Sequence, residues 1–213
     1  MIRYGITGTD TGVGKTVVAC ALIAALRDRG LSVAGMKPVE TGFDVEPPDA
    51  RQLWDAAGRM DALDDVCPER FHEPLAPYLA ARRAGRTISI PALDTARSRL
   101  ESGRDALVVE GAGGLLVMIA EGMAFDTLFR RWDLDCIVVA ANRLGAINHT
   151  LLTVRAARAA GLRVPAVVLN TVCPPEPTLA ERTNLDTLRE LIPDAKILPF
   201  PYNGGAHDLR DIC

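Results

Sequence analysis

The chain has 213 residues, of which 48% are hydrophobic, and a formal net charge of −3. A chain of this length and apolar content can bury a sizeable core without disulfides, so we expect one domain over residues 1–213. Its arginines are interspersed with acidic residues, which argues against nucleic acid as a partner. Apolar runs stay shorter than the roughly 18 residues of a membrane span, and no signal peptide is recognisable. A cytoplasmic protein without a membrane partner is therefore expected.

Cysteine and histidine positions predict no metal cluster. The number of cysteines is odd and their spacing matches no metal motif, which suits a reducing compartment. We expect His72 and His207 at the surface, and His149 in packing or capping at a helix start. The cysteines are Cys20, Cys67, Cys136, Cys173 and Cys213, of which Cys20 and Cys136 are predicted to fill the core.

The first predicted unit is a strand, a glycine-rich turn and a helix. Ile2 to Thr7 is an apolar run typical of a buried strand, and Val17 to Arg29 repeats apolar residues at helical spacing. Gly30 follows as a favourable helix stop. The intervening segment matches a phosphate-binding loop in the context that this motif requires. Its sequence is Gly8-Thr9-Asp10-Thr11-Gly12-Val13-Gly14-Lys15-Thr16.

Side chains and backbone of this loop predict triphosphate binding. Backbone N–H groups and the positive helix end would hold phosphate oxygens, Lys15 would reach the outer phosphates, and the Thr16 hydroxyl would reach Mg²⁺. The leading glycine is displaced to Gly8. Asp10 stands where dimeric partitioning ATPases place an extra lysine, which argues against that class. Asp10 and Thr11 would instead face the group that attacks the γ-phosphate.

The remaining chain alternates strands with helices, which predicts an α/β fold with a doubly wound, mainly parallel sheet of the P-loop NTPase type. Ligands of such sheets bind at the carboxyl ends of the strands. The further strands are predicted at Val33 to Lys37, Ala106 to Glu110, Cys136 to Ala141 and Val164 to Asn170. The further helices are predicted at Asp49 to Ala57 with Asp49 as N-cap, Pro91 to Leu100, Phe125 to Trp132, Ile147 to Ala160 and Leu179 to Leu191.

Three strand ends carry candidate functional residues. Lys37 places a cation near the phosphates, although an exposed lysine after an edge strand would look the same. Glu110 ends an apolar run, and its buried charge requires a cation, a metal or backbone donors. With Thr16 and an aspartate it would offer Mg²⁺ oxygen ligands, the alternative being a structural carboxylate bonded to the glycine turn. Asn170 could contact a nucleotide base or cap a loop.

Four segments together resemble the dethiobiotin synthetases over nearly the whole chain. The loop alone would indicate only a large superfamily, and Glu-Gly-Ala-Gly-Gly also occurs in amidating synthetases of cobalamin assembly. The segments are Thr7 to Thr16, Lys37-Pro38-Val39-Glu40-Thr41-Gly42, Val109-Glu110-Gly111-Ala112-Gly113-Gly114 and Leu144-Gly145-Ala146-Ile147-Asn148-His149.

The resemblance implies a cytoplasmic ligase of biotin biosynthesis that converts 7,8-diaminopelargonic acid, CO₂ and ATP into dethiobiotin, ADP and phosphate with Mg²⁺. An amine takes up CO₂ as a carbamate, the carbamate attacks the γ-phosphate, and the second amine closes the ring on the carbamic-phosphoric anhydride. It also implies a homodimer with composite active sites.

Roles for individual residues follow from the same resemblance. Lys15, Lys37 and Thr11 would be catalytic. Thr16, Asp49 and Glu110 would hold the metal, with Asp44 as the fallback because the loop before Asp49 is short. The diamine would contact Thr11, Lys37 and Thr41, and its distant carboxylate would bind at Gly145, Ala146, Ile147 and Asn148 of the other subunit. The nucleotide would contact Gly12, Val13, Gly14, Lys15, Thr16, Val17, Asp49, Glu110, Gly111, Ala112, Gly113, Asn170, Leu198, Pro199 and Phe200.

Two other classes remain as alternatives. A cobyrinate-type amidating synthetase usually carries a glutaminase domain, for which 213 residues leave no room. A regulatory or partitioning P-loop ATPase would lack a use for Lys37 and Thr41. Tyr78 stands where the family often has a histidine, and we assign it no role.

Overall fold

The structure, a computed structural model, describes residues 1–173 and 176–212, so Cys213 lies outside the described residues. Strands and helices alternate along the chain as the sequence predicts. In chain order the elements are β1 (Ile2–Gly8), α1 (Lys15–Asp28), β2 (Val33–Met36), β3 (Val39–Thr41), α2 (Pro48–Ala56), α3 (Leu63–Val66), β4 (Glu69–Phe71), α4 (Pro77–Arg83), α5 (Ile90–Glu101), β5 (Ala106–Gly114), β6 (Met118–Ala120), β7 (Met123–Ala124), α6 (Phe125–Arg131), β8 (Asp135–Ala141), α7 (Ala146–Ala159), β9 (Ala166–Asn170), α8 (Leu179–Leu191), β10 (Lys196–Phe200) and a 3-10 helix (Ala206–Ile212).

The central sheet has six strands in the order β10-β9-β8-β1-β5-β2. Every neighbouring pair in it is parallel. All six strands therefore present their carboxyl ends at one edge, and β1 lies between β5 and β8 there. This confirms the predicted doubly wound α/β class and places the loop after β1 between the ends of β5 and β8, with the end of β2 one strand further along.

The core lies on both faces of this sheet, because successive side chains of a strand point to opposite faces. On β5, Leu107 and Val109 join one buried cluster, whereas Ala106 and Val108 join the other. The strand ends that project beyond these clusters are free to carry polar groups.

Two small sheets flank the carboxyl edge. In the first, β3 pairs in parallel with β4, so that Val39 lies opposite Glu69. In the second, β6 and β7 form an antiparallel hairpin directly after β5. Sequence patterns predicted neither, because strands of two or three residues are too short to show a period.

Most predicted boundaries agree with the structure to within two residues, but two details are wrong. Asp49 is not the N-cap of its helix: α2 begins at Pro48 with Pro47 as N-cap, and Asp49 lies in the first turn. Cys20 is only partly buried, although it packs against one of the two buried clusters, whereas Cys136 is fully buried. None of the described helices is long and apolar enough to cross a membrane.

Candidate functional site

The loop between β1 and α1 needs glycine at three positions. A Cβ at Gly8 would lie 2.7 Å from the Asp10 carbonyl oxygen, so close packing of the loop excludes a side chain there. Gly12 and Gly14 have φ angles of +74° and +88°, in the left-handed region that favours glycine. Gly8 is therefore needed because the loop backbone packs closely against it, whereas Gly12 and Gly14 are needed for the backbone conformation of the turn.

Lys15 opens α1 beneath the loop. Its Nζ donates to the backbone oxygen of Asp10 at 3.3 Å, so the side chain folds back along the loop. Burial and the positive charge of Lys37 both lower the pKa of Lys15 below its ordinary value. Lys15, at the start of α1, and Lys37, directly after β2, therefore lie close enough for their charges to interact.

Lys37 is buried between two carboxylates, which excludes the exposed-lysine interpretation. Its Nζ lies 2.6 Å from Glu110 Oε1 and 2.8 Å from Asp49 Oδ2. Only 3% of its surface is exposed. Burial alone would lower the pKa of Lys37, but the charges and hydrogen bonds of Glu110 and Asp49 outweigh it and raise that pKa. Burial alone would raise the pKa of Asp49, but the charge and hydrogen bond of Lys37 oppose this, and the pKa of Asp49 lies below its ordinary value.

Thr16, Glu110 and Asp49 form the oxygen-rich side of this cluster. The Thr16 hydroxyl donates to Glu110 Oε1 at 2.9 Å. Glu110 Oε2 is buried and has no hydrogen-bond partner among the described residues. A buried carboxylate oxygen that accepts no hydrogen bond destabilises the folded state unless a bound ligand supplies a partner for it. A hydroxyl and two carboxylates suit a hard cation such as Mg²⁺, which takes its remaining ligands from phosphates and water.

A cavity of about 690 Å³ joins the loop to this cluster. One wall is polar and includes both lysines. Another part of the lining is apolar and comes from the segment Pro74 to Pro77 at the start of α4 and from Val117 just before β6. The lining residues are Thr11, Gly12, Gly14, Lys15, Thr16, Val17, Lys37, Glu40, Thr41, Gly42, Asp49, Gln52, Pro74, Leu75, Ala76, Pro77, Glu110, Ala112, Gly113 and Val117.

Sequence reasoning missed two parts of this cavity. Glu40 on β3 is buried, and its carboxylate accepts hydrogen bonds from the N–H groups of Asp49 and Ala50, each at 2.9 Å. Burial raises the pKa of Glu40, while the two N–H groups oppose part of that rise. The available signal was the place of Glu40 in the segment Lys37 to Gly42 that carries the family resemblance. The apolar segment Pro74 to Pro77 also lines the cavity, and no sequence motif connected it to the site.

Asp44 and Asp49, the two candidate metal ligands of this segment, lie in different environments. Asp49 contacts Lys37 and lines the cavity, whereas Asp44 is exposed and is not among the lining residues. Tyr78 does not line the cavity either. The Cζ atom of Arg82 lies 5.6 Å from the centroid of the Tyr78 ring. Between the two aspartates, the geometry therefore favours Asp49.

The residues expected at the base lie outside this cavity. Asn170 is buried against the loop, where its Nδ2 donates to the Val13 carbonyl oxygen at 2.8 Å. A Cβ at Gly14 would lie 2.1 Å from the same Nδ2. Leu198, Pro199 and Phe200 form the end of the edge strand β10, and Phe200 pairs with Asn170. Asn170 in this structure braces the loop, and its contact with a base remains a prediction.

The segment from Gly145 to Asn148 also lies away from the cavity. Gly145 is the N-cap of α7 with a φ of +90°, and Asn148 is exposed in its first turn. The preceding Leu144 is 86% exposed. Arg143 connects this helix start to the loop, since its guanidinium lies 3.2 Å from Asp10 Oδ2. Gly111 and Val13, which were also expected at the nucleotide, are buried and do not line the cavity.

Fold and site together define a P-loop protein that binds a nucleoside triphosphate, with two lysines lining the cavity beside the loop. A family model described as an AAA domain matches residues 3–203. Curated relatives named ATP-dependent dethiobiotin synthetase match most of the chain, and the chain belongs to the dethiobiotin synthetase family.

Three of these relatives come from different bacteria. The protein of Rhodococcus jostii is 47% identical, over 86% of this chain and 79% of its own. That of Anaeromyxobacter dehalogenans strain 2CP-1 is 46% identical, over 79% of this chain and 76% of its own. That of Nitrosospira multiformis is 38% identical, over 98% of this chain and 92% of its own.

Solved structures confirm the fold alone. The cell division protein FtsY of Thermotoga maritima superposes with a TM-score of 0.54 at 16% sequence identity, over 97% of this chain and 63% of that one. Chloroplast FtsY of Physcomitrella patens gives a TM-score of 0.53 at 15% identity, over 99% of this chain and 64% of that one. Identities this low carry no argument about substrates.

Proposed function

We propose that this chain is an ATP-dependent dethiobiotin synthetase, which closes the cyclic urea of dethiobiotin from 7,8-diaminopelargonic acid and CO₂. The observation that carries the proposal is the single cavity that joins the phosphate loop to Lys37 and Thr41. The alternative classes, an amidating synthetase and a partitioning ATPase, gain no support from the named relatives. Residues 1–213 would act as one P-loop synthetase domain in the cytoplasm.

The reaction has three steps. One substrate amine adds to CO₂, forming an N–C bond and releasing a proton. A carbamate oxygen then attacks the γ-phosphorus of ATP, and the bond to the ADP oxygen breaks. The second amine finally attacks the carbamate carbon and expels phosphate, which leaves the cyclic urea.

Two anions must meet in the second step, so positive charge at the attack point lowers the barrier. Lys15 and Lys37 line the same cavity and supply that charge. Lys37 is held in place on two sides by Asp49 and Glu110, which fixes its Nζ before substrate arrives. Thr11 and Thr41, which both line the cavity, would offer hydroxyls to the diamine or its carbamate.

Mg²⁺ would be held by Thr16, Asp49 and Glu110. The unpartnered Glu110 Oε2 supports this assignment, because it is a buried acceptor beside the phosphate loop. Among the described residues no group of three or more His, Cys, Asp or Glu side chains is arranged as a metal cage. Mg²⁺ prefers few protein carboxylates and several phosphate oxygens. When bound, the ion neutralises charge on the phosphates.

The apolar wall would contact the hydrocarbon chain of the substrate. Pro74, Leu75 and Val117 contribute carbon surface to the same cavity that the lysines line. An amphipathic substrate whose amines face the charged wall therefore fits the two-sided lining. Asn170 and the backbone of Leu198 to Phe200 would contact adenine after the Asn170 amide leaves Val13.

The substrate carboxylate lies several carbons from the reacting amines and needs a separate anchor. Free N–H groups at a helix start suit an anion, and Gly145 to Asn148 begin α7. Since this segment does not line the cavity of its own chain, we propose that it serves the cavity of a partner in a homodimer.

Phosphate release tests the activity. Release should require 7,8-diaminopelargonate and bicarbonate together with ATP and Mg²⁺, and mass spectrometry should identify dethiobiotin. Comparing ATP with other triphosphates would establish the base preference. Phosphate release that ignores the diamine would contradict the proposal and favour a regulatory ATPase.

A mixing experiment tests the shared site. Lys37→Ala and Gly145→Val should each be inactive, the second because a valine is strained at a φ of +90°. Nucleotide binding should survive Gly145→Val. Hybrid dimers would contain one site with both lesions and one intact site, so full exchange should restore about a quarter of the wild-type sites. Demonstrated subunit exchange without recovered activity would contradict the composite site.

A further inference from the structure

The N-terminus of α2 is capped by a residue from another element. Its N-cap residue is Pro47, which makes no side-chain cap hydrogen bond. Glu40 on β3 supplies the missing acceptors, since its Oε1 accepts from the N–H of Asp49 and its Oε2 from the N–H of Ala50. Both carboxylate oxygens are used, and the residue is 3% exposed. This is a buried carboxylate that the reaction steps above do not employ.

The capped N–H groups belong to the turn that carries a proposed metal ligand. Asp49 reaches Lys37 Nζ at 2.8 Å, and Lys37 in turn contacts Glu110. Bonds to charged acceptors are shorter and stronger than neutral ones, and a negative charge at a helix start is favourable. Two such bonds fix the backbone of the turn from which the Asp49 side chain projects.

We propose that Glu40 is a positioning residue, which holds Asp49 at the phosphate site by capping α2 from β3. The inference rests on the proposed function in one respect, that Asp49 is a ligand of the metal bound with the nucleotide. Glu40 itself touches neither metal nor substrate in this role. Its effect on the site passes through the first turn of α2.

Glu40→Gln tests the role with little change in shape. The amide keeps one acceptor oxygen but places an NH₂ donor against a backbone N–H, so one cap bond is lost. The matched control is Glu69→Gln. Glu69 is another buried carboxylate of the same small sheet, lying opposite Val39, but its carboxylate accepts from Arg86 and from the N–H of Ser89, the N-cap of α5.

Mn²⁺ binding provides the readout. The dissociation constant of Mn²⁺ would be measured by electron paramagnetic resonance in the complex with a non-hydrolysable ATP analogue, without diamine. Glu40→Gln should raise it about five- to tenfold, on the scale of one lost hydrogen bond of ordinary strength. Glu69→Gln should leave it within twofold of wild type, although both variants should lower the melting temperature. Half-saturation of turnover by Mg²⁺ should follow the same order.

A rescue variant separates capping from direct contact with the cavity. Pro47→Ser places a hydroxyl at the N-cap, where it can accept from the same first-turn N–H groups. Combined with Glu40→Gln, it should return the Mn²⁺ dissociation constant to within about threefold of wild type. Failure to rescue, an unchanged constant in Glu40→Gln, or an equal rise in Glu69→Gln would each overturn the proposal.

Two further comparisons keep the test decisive. If Glu40→Gln does not fold, Glu40→Asp takes its place, because the shorter carboxylate keeps the charge yet falls short of α2. The Mn²⁺ measurement needs no diamine. A chain that shows the expected Mn²⁺ pattern but forms no dethiobiotin would therefore refute the proposed function and leave the role of Glu40 standing.

Discussion

Replacing Lys37 with alanine should lower both stability and turnover, for separable reasons. Lys37 is the buried cation between Asp49 and Glu110, whose side chains are 37% and 0% exposed. Removing one partner of a buried ion pair costs about 3–5 kcal/mol, because the other charge is left uncompensated. In a chain of this size each kcal/mol lowers the melting temperature by about 2–4 °C, which predicts a loss of about 6–20 °C.

Turnover should fall on the order of a hundredfold or more, the scale seen when one transition-state donor is lost. Thermal unfolding followed by circular dichroism would measure the first effect, and phosphate release below the unfolding temperature would measure the second. Mg²⁺ and ADP at 100 times their dissociation constant should return about 2.7 kcal/mol by binding the native state. Adding Glu110→Gln to Lys37→Ala should recover stability but not turnover.

Lys196→Ala is the control for this experiment. Lys196 is exposed on β10 and donates to the backbone oxygen of Asp211, far along the chain from the loop. Exposed substitutions of this kind change stability by about 0.5 kcal/mol or less. The reasoning would be refuted if Lys37→Ala behaved like Lys196→Ala, with an unchanged melting temperature and near-normal turnover.

Two further substitutions test the metal assignment and the loop. Asp49→Asn should raise the Mg²⁺ concentration for half activity at least severalfold, whereas Asp44→Asn should leave it unchanged; the opposite order in a Mg²⁺ titration would transfer the ligand role to Asp44. Gly14→Ala would bring a Cβ to 2.1 Å from Asn170 Nδ2 at a φ of +88°. It should weaken ADP binding at least tenfold by calorimetry, while Gly103→Ala, which has a positive φ but open space, should cost only about 1 kcal/mol of stability. Equal ADP affinity in both variants would show that the loop tolerates the contact.

The sheet and its crossover helices were predictable because their signals are long and periodic. Buried parallel strands such as Cys136 to Ala141 are continuous apolar runs, and α8 was predicted with the observed bounds, Leu179–Leu191. Gly30 and Gly161 end their helices with φ angles of +84° and +81°, as expected of helix stops. Strand β10 was harder to recognise, since Pro199 weakens a strand pattern and is tolerated there only because the strand lies at an edge.

The phosphate loop was predictable in the same way, but the environment of its neighbours was not. Lys37 could have been an exposed lysine, and its burial depends on carboxylates 12 and 73 residues away in sequence. Asp49 was expected to cap its own helix because local patterns favour Asp there. The actual cap comes from Glu40 on β3, 9 residues before Asp49, a contact across the connecting loop that helix-capping patterns do not reveal.

The charges of the cavity bear on how a triphosphate can be accommodated. Lys15 and Lys37 contribute two positive charges, but Lys37 is already paired with both Asp49 and Glu110. Side-chain charge alone therefore gives the site no positive excess toward a polyanion. The loop N–H groups and the N-terminus of α1 supply part of the attraction, and they do so without a net charge. A divalent cation would supply the remainder, and it would meet Glu110 Oε2 and the Asp49 carboxylate where the pairing with Lys37 leaves negative charge uncompensated. On this argument the acidic residues that neutralise Lys37 serve to bring metal and nucleotide into the site together.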